Sequence, residues 1–294
     1  MVGSWEPVQP DPNRFYDGGT ATEPPDPGHQ PRIVLERLEH GDTERFRMDR
    51  RIAYRDREYG ELLVPSDLAT FVTDLTSVPT LFTWLVPKTG RHLPATLVHD
   101  GLVHPHGPPT YISSDGHDLD RVEADRVLRA AMRDVGVGPV RGWLIWSAVT
   151  LGTIWSGDAR WSRALHLRYL LTMIATLATV VVLGVIATLD LFDVVDWLPW
   201  MGDRAWWVEL AGGLAGAIVI PLVLGLAWGR FAIAGAIAGI ALAVLLHATV
   251  LLAAITALCQ ASEWLARRRP YGALVGLAVV LAACVVLTVL LVVT

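Results

Sequence analysis

The feature that most constrains this chain is a set of four stretches in its C-terminal half that carry no charged residue: Tyr169 to Leu189, Leu210 to Gly229, Phe231 to Ser262 and Pro270 to Thr294. A helix advances about 1.5 Å per residue, so about 20 consecutive apolar residues cross a hydrocarbon core of about 30 Å. All four stretches are long enough. Buried helices of a soluble core meet that length too, but they keep a polar face at helical spacing, and the run from Ile233 to Leu246 has none. The expectation is an all-α transmembrane bundle of about four helices, near 169–189, 207–229, 231–258 and 272–293, within a helical domain over 169–294.

Charge divides the chain in the same place. The formal charge is −5 over 294 residues, and acids and bases balance from Arg168 onward, so the excess of acid belongs to residues 1–167. An acidic soluble half lacks the basic stripe of a nucleic-acid binder, and nucleic acid is not an expected partner. The expected partner is the lipid bilayer. Arg160, Arg163 and Arg168 precede the first apolar stretch, while Asp190, Asp193, Asp196 and Asp203 follow it. By the positive-inside rule the N-terminal domain is expected in the cytoplasm and the Trp-rich loop from Asp190 to Trp207 outside. Four crossings then place Arg267, Arg268 and Arg269 outside, against the same rule, so the span count and the topology stay open. Cys259 and Cys284 fall in apolar stretches and read as small buried hydrophobes.

Residues 1–30 are polar and Pro-rich, with Pro24-Pro-Asp-Pro-Gly28, and read as a disordered leader without the character of a secretory signal. The segment 31–156 reads as an α+β soluble domain. Arg32 to Leu38, Phe46 to Tyr54 and Gly60 to Pro65 alternate as strands of a small antiparallel sheet with one wet face. Helices are expected over Thr80 to Val86, Leu93 to Val103, Asp118 to Val135 and Gly142 to Trp155, the last closing the soluble domain against the membrane. A basic juxtamembrane linker is expected over 157–168.

The polar residues with chemical potential converge in one succession: Phe71-Val-Thr-Asp-Leu-Thr-Ser-Val-Pro79, Gly90-Arg91, His99-Asp100 and Glu123-Ala-Asp125. Together with Val64-Pro65, Ala95 and Ala131-Met132, this order of blocks resembles a phage and bacterial family catalogued as domain of unknown function 1353, over roughly residues 45–156. The family's pattern is a Phe-x-Thr-Asp-Phe-Ala-Ser-Ile-Pro-Arg block, a helix ending in His-Asp-x-Leu-Tyr, and a later Arg-x-x-Ala-Asp helix. The sequence departs from it at Thr80, where Arg is usual, at Gly101, where Trp is frequent, and at Val103, where Tyr is found. The resemblance implies a bacterial chain, and with the apolar stretches a multi-pass protein of the plasma membrane. It implies no activity, so the chemistry rests on the residues.

His99 and Asp100, adjacent on a helix, are separated by about 100° of rotation, so both can face one cleft without stacking. His99 and Asp100 are the candidate catalytic pair, with Asp74, Ser77, Arg91 and Asp125 in support. Asp74, His99, Asp100 and Asp125 also form a candidate ligand set for a divalent metal ion, the one cofactor the sequence suggests. The plainer alternative makes Asp74 and Ser77 turn and helix caps, pairs Asp100 with Arg91 or Arg121, and leaves His99 a core histidine beside a carboxylate. His104 and His106 read as loop residues, and His247, within the third apolar stretch, reads as a helix-to-helix hydrogen-bonding group.

Gly212, Gly213, Gly216, Gly235, Gly239 and Gly276 fit close helix packing, including association between copies through small-residue faces. Three functions follow. The first is a membrane-anchored, cytoplasm-facing interaction or assembly module. The second is a metal-assisted hydrolase acting on a membrane-proximal substrate, and the third a transporter or channel component.

Overall fold

The computed structural model describes residues 14–40, 43–75, 87, 89–103, 109–202 and 204–268. The chain divides into two compact units, Met1–Val244 and Leu245–Thr294. The first holds every strand and most of the helical residues described below.

Two antiparallel sheets replace the single small sheet expected from the alternation. One has four strands in the order β1 (Phe15–Asp17), β4 (Ile52–Asp56), β5 (Gly60–Val64) and β7 (Ile112–Ser113). The other runs β2 (Leu35–His40), β3 (Thr43–Met48) and β6 (Val72–Thr73). The expected strand from Phe46 to Tyr54 is thus broken, because the backbone of Asp49 and Arg51 bonds outward to Val34 and Gly19 and sends the two halves into different sheets.

The leader expected over 1–30 is corrected by β1. Phe15 and Tyr16 are fully buried, Phe15 pairs in register with Tyr54, and the two rings lie 4.6 Å apart. Residues 17–23 are pinned by two adjacent arginines: Arg50 bonds Asp17 and Glu23, both at 2.7 Å, and Arg51 bonds the Thr20 carbonyl at 2.6 Å. Residues 1–13 of that expected leader lie outside the described residues, as does the helix expected over Thr80 to Val86.

Helices α1 (Leu93–Leu102) and α2 (Arg121–Asp134) pack on each other and on the larger sheet. Each buries one face at helical spacing: Ala95, Val98 and Leu102 on α1, and Ala124, Val127, Leu128 and Ala131 on α2. They enclose Tyr54, Leu62 and Val64 in one core. Asp120 starts α2 with a reciprocal capping box, accepting from the Glu123 N–H while Glu123 accepts from its own. Helix α3 (Pro139–Ser156) then runs against α2, longer at both ends than the expected Gly142 to Trp155.

Helix α4 spans Arg163–Leu191, so the expected linker over 157–168 shortens to residues 157–162, and Arg163 and Arg168 stand on the helix itself. Ser162 caps it, accepting from the Leu165 N–H. Next come α5 (Trp206–Gly225), a tight turn over Leu226–Phe231 and α6 (Ala232–Arg268). The turn hinges on Gly229, whose φ of 58° and ψ of −118° suit glycine alone. Helices α5 and α6 return along each other through small residues: a Cβ on Gly239 would meet Pro221 Cβ at 2.8 Å, and one on Gly235 would meet the Trp228 ring at 2.5 Å.

Among the described residues two stretches are long and apolar enough to cross a membrane, Arg163–Leu191 and Trp206–Ala248, the second taking in the expected span over 207–229 and most of that over 231–258; the stretch over 270–294, with Gly276 and Cys284, lies outside the described residues. Gly235 and Gly239, expected to serve association between copies, are filled by the chain's own Trp228 and Pro221. Cys259 is an exposed free thiol rather than a buried hydrophobe. In the second unit the described residues are those of α6 from Leu245 on, among them His247.

Candidate functional site

Three elements deliver the polar residues. The last turn of α1 carries His99 and Asp100, the second turn of α2 carries Asp125, and β6 with the residues after it carries Thr73 and Asp74. Strand alternation across 72–75 turns Thr73 and Leu75 inward and leaves Val72 and Asp74 exposed.

The 100° step between His99 and Asp100 sends them to different neighbours. His99 Nε2 lies 2.9 Å from Asp125 Oδ1, with side-chain exposures of 12% and 3%. An ionised carboxylate only accepts, so Nε2 carries the proton of that bond, and in the neutral imidazole the lone pair is then on Nδ1; Nδ1 has no hydrogen-bond partner among the described residues. Asp100 turns instead to β6, where Thr73 Oγ1 donates to its Oδ2 at 2.5 Å. Burial pushes the Asp100 carboxyl up to about 6, with nearby Asp74 acting in the same direction and the Thr73 bond and His99 opposing it.

Thr73 Oγ1 also accepts from the Leu75 N–H at 2.8 Å. That bond holds Leu75 in the left-handed region, at a φ of 70°, with its side chain buried. A non-glycine residue held there costs about 1–3 kcal/mol and persists where the surroundings fix it. The strain falls two residues from Thr73, the partner of Asp100, whose carboxyl is raised towards neutrality.

The sequence-derived set therefore comes together in part. His99 and Asp125 pair directly, while Asp100 sits beside them on Thr73 and is electrostatically coupled to Asp74. Arg91 is exposed and donates to the Gly136 carbonyl at 3.3 Å, and the expected Asp100 partner, Arg91 or Arg121, is replaced by Thr73. Ser77 and Thr80 lie outside the described residues, as do His104 and His106. Among the described residues no group of three or more His, Cys, Asp or Glu is placed to hold a metal ion, so Asp74, His99, Asp100 and Asp125 do not close on one point.

Residues 46–149 match the family model described as protein of unknown function (DUF1353). Over this segment the chain is similar to DUF1353. The match takes in the His99–Asp125 pair, Asp100 and Thr73, and it ends within α3, short of the apolar helices. No curated protein and no solved structure matches the chain. One departure from the DUF1353 pattern has a steric reason. A Cβ on Gly101 would lie 2.3 Å from Val64 Cγ1, so α1 reaches β5 only because position 101 has no side chain.

Sequence reasoning missed Thr73 as a site residue, although it stands inside the block that carries the resemblance. It also missed a second polar cluster, in which Asp134 accepts from the buried Tyr54 hydroxyl at 2.9 Å and from Arg57 at 2.8 and 2.7 Å. A third was missed where α2 meets α3: Arg129 lies over the Trp143 ring at 3.4 Å from its centroid. The helical spacing of Asp125 and Arg129, and of Trp146 and Trp143, was the available signal.

Proposed function

We propose that this protein is a membrane-anchored hydrolase whose DUF1353-like domain uses His99 as a general base oriented by Asp125. The observation that carries the reading is the 2.9 Å bond between them, with the opposite imidazole nitrogen unengaged by the described residues. A buried carboxylate fixes the tautomer and stabilises the imidazolium that forms when Nδ1 takes a proton from water or a substrate hydroxyl. Asp100, raised towards neutrality, supplies a carboxyl that is able to return a proton to a leaving group near pH 6. No metal step enters this scheme, because the described carboxylates and imidazoles do not converge on a ligand position.

Membrane anchoring draws on the surface of α4. Only 17% of its most apolar window is buried, and Leu167, Leu171, Ile174, Val182 and Val185 are exposed along it. A soluble core helix has the opposite distribution. Exposed aromatic residues stand at both ends, Trp155 before it and Phe192, Trp197, Trp206 and Trp207 after it, as interfacial belts do. On this reading the protein is multi-pass in a plasma membrane with its N-terminal domain cytoplasmic, and any substrate is membrane-proximal.

The test is turnover by the full-length protein in detergent against a panel of fluorogenic acyl esters and phosphodiesters, with His99→Ala and Asp125→Asn in parallel. Turnover in the wild type that falls by about 100-fold or more in His99→Ala supports the dyad. Folded wild type and variants with equal background rates across the panel overturn it in favour of the interaction or assembly module. Protease protection in inverted vesicles tests the orientation: cleavage of the exposed Arg91 region only there supports a cytoplasmic domain, and cleavage only in right-side-out vesicles reverses it.

A further inference from the structure

An open cleft of about 530 Å³ lies between α2, α3 and the start of α6, with Asp125 in its lining. Its volume is that of a ligand site, for which about 300–1,000 Å³ is usual. Its polar lining is unevenly paired. Glu58 is matched by Arg126 at 2.8 Å, and Asp120 and Glu123 by Arg160 at 3.3 and 3.2 Å. Two guanidinium groups are left over: Arg129 and Arg230 line the cleft and have no carboxylate partner among the described residues. Each is held by aromatic faces instead, Arg129 on Trp143 and Trp146, and Arg230 on Phe231 and Trp161.

Two buried polar atoms in the same lining have no partner. Thr150 is 0% exposed and its Oγ1 makes no hydrogen bond, and Asp125, 2% exposed, has a second carboxylate oxygen, Oδ2, equally unsatisfied. Leaving such groups unpaired costs about 1–3 kcal/mol each, so a bound group that satisfies both is favoured. The cleft therefore offers two cations for an anion and, beside them, an acceptor for a donor. Its apolar lining includes Phe231 and Ile233, at the foot of the apolar helix α6.

We propose that this cleft binds the phosphodiester headgroup of a membrane phospholipid that carries a hydrogen-bond donor, phosphoglycerol or phosphoethanolamine. The phosphate oxygens sit with Arg129 and Arg230, the planar forks suited to them. The glycerol hydroxyl or the ammonium donates to Asp125 Oδ2, and Thr150 Oγ1 bonds the phosphate. The acyl chains leave past Phe231 and Ile233 along α6. Phosphocholine fits the cations but has no N–H or O–H for Asp125. The assignment draws on the membrane reading of α4 to α6; it shares Asp125 with the hydrolytic reading but uses its other carboxylate oxygen, Oδ2.

The experiment is a titration of the full-length protein in detergent, following intrinsic tryptophan fluorescence, with dioctanoyl phosphatidylglycerol, dioctanoyl phosphatidylethanolamine, dioctanoyl phosphatidylcholine and inorganic phosphate. The expected result is saturable binding of the first two, at least about tenfold weaker binding of phosphatidylcholine, and a further loss of about tenfold or more in Arg129→Gln and Arg230→Gln. Arg230 is exposed, so its substitution leaves folding intact. Thr150→Val weakens binding less, and Arg47→Gln, remote on β3, leaves it unchanged. Equal binding of all three lipids, or wild-type affinity in Arg230→Gln and Arg129→Gln, overturns the site. Saturation by inorganic phosphate at the same concentration as lipid overturns the lipid assignment and makes it a free-phosphate site. Sedimentation of the native protein with membranes after alkaline wash separately reads insertion; release by the wash overturns the membrane reading, while the lipid titration still reads the cleft.

Discussion

His99 Nε2 and Asp125 Oδ1, 2.9 Å apart, join the last turn of α1 to the second turn of α2 across the core of the DUF1353-like domain. His99→Leu leaves a carboxylate that is 3% exposed with neither oxygen paired. The expected cost is about 2–4 kcal/mol, whereas Asp125→Asn, which keeps an acceptor oxygen, costs less than half of that. Thermal unfolding of the full chain in one detergent checks the order of the two variants. An Asp125→Asn protein less stable than His99→Leu contradicts the pairing.

Asp100 gives the domain a pH dependence of known sign. Its folded pKa of about 6 lies above the ordinary 3.8, so the folded state favours the neutral carboxyl. Stability from this group is complete below about pH 3.8, declines as pH rises, and is lost above about pH 6. Asp100→Asn, which still accepts from Thr73, is therefore expected to stabilise the protein at pH 7.5 by about 2–3 kcal/mol, a gain that shrinks to about 0.5 kcal/mol at pH 4. Unfolding midpoints of both proteins across that range check it, and a gain that grows towards acid pH reverses the assignment.

Gly101 is a contact position rather than a flexible one. The Cβ of Gly101→Ala meets Val64 Cγ1 at 2.3 Å, and Val64 is itself fully buried, so helix and strand have to separate. Overpacking of this kind costs about 1–3 kcal/mol. Combining it with Val64→Ala, which vacates the contact, is expected to recover part of the loss, and a double-mutant cycle in unfolding free energy measures the recovery.

Tyr54 and Asp134 form a buried bond between β4 and the end of α2, with the phenol ionisation pushed well up by burial and by the facing carboxylate. Tyr54→Phe leaves Asp134 bonded to Arg57 and costs about 1–2 kcal/mol. Asp134→Ala strands the Tyr54 hydroxyl and costs more. Chemical unfolding is expected to rank the variants in that order, and the opposite ranking breaks the account.

The β1 segment illustrates where local reading fails. Composition around Pro24-Pro-Asp-Pro-Gly28 reads as a disordered leader, yet Phe15 and Tyr16 are core residues because β4 pairs with them and Arg50 and Arg51 hold Asp17 and Thr20 just beyond, all from more than thirty residues away in sequence. Charge pairing at that separation leaves no periodic trace. Asp100 fails for a similar reason: an arginine is its natural partner in sequence, but strand alternation at β6 brings Thr73 to it instead. His99 and Asp125 were both legible, since each stands in a block whose order carries the family resemblance, but their bond was one alternative among several.

By itself the sequence determined the class of the described part of the molecule: helices in its uncharged runs, where the backbone has no cheaper way to satisfy its own hydrogen bonds, and an α+β domain before them. It also determined that the polar chemistry is concentrated between Asp74 and Asp125. Tertiary structure alone decided which of those groups meet, because a 100° step on one helix turn sends His99 and Asp100 to different neighbours. It alone placed Arg129 and Arg230 in one cleft, 101 residues apart in sequence, since only packing closes a loop of that length and sets which charges remain unpaired.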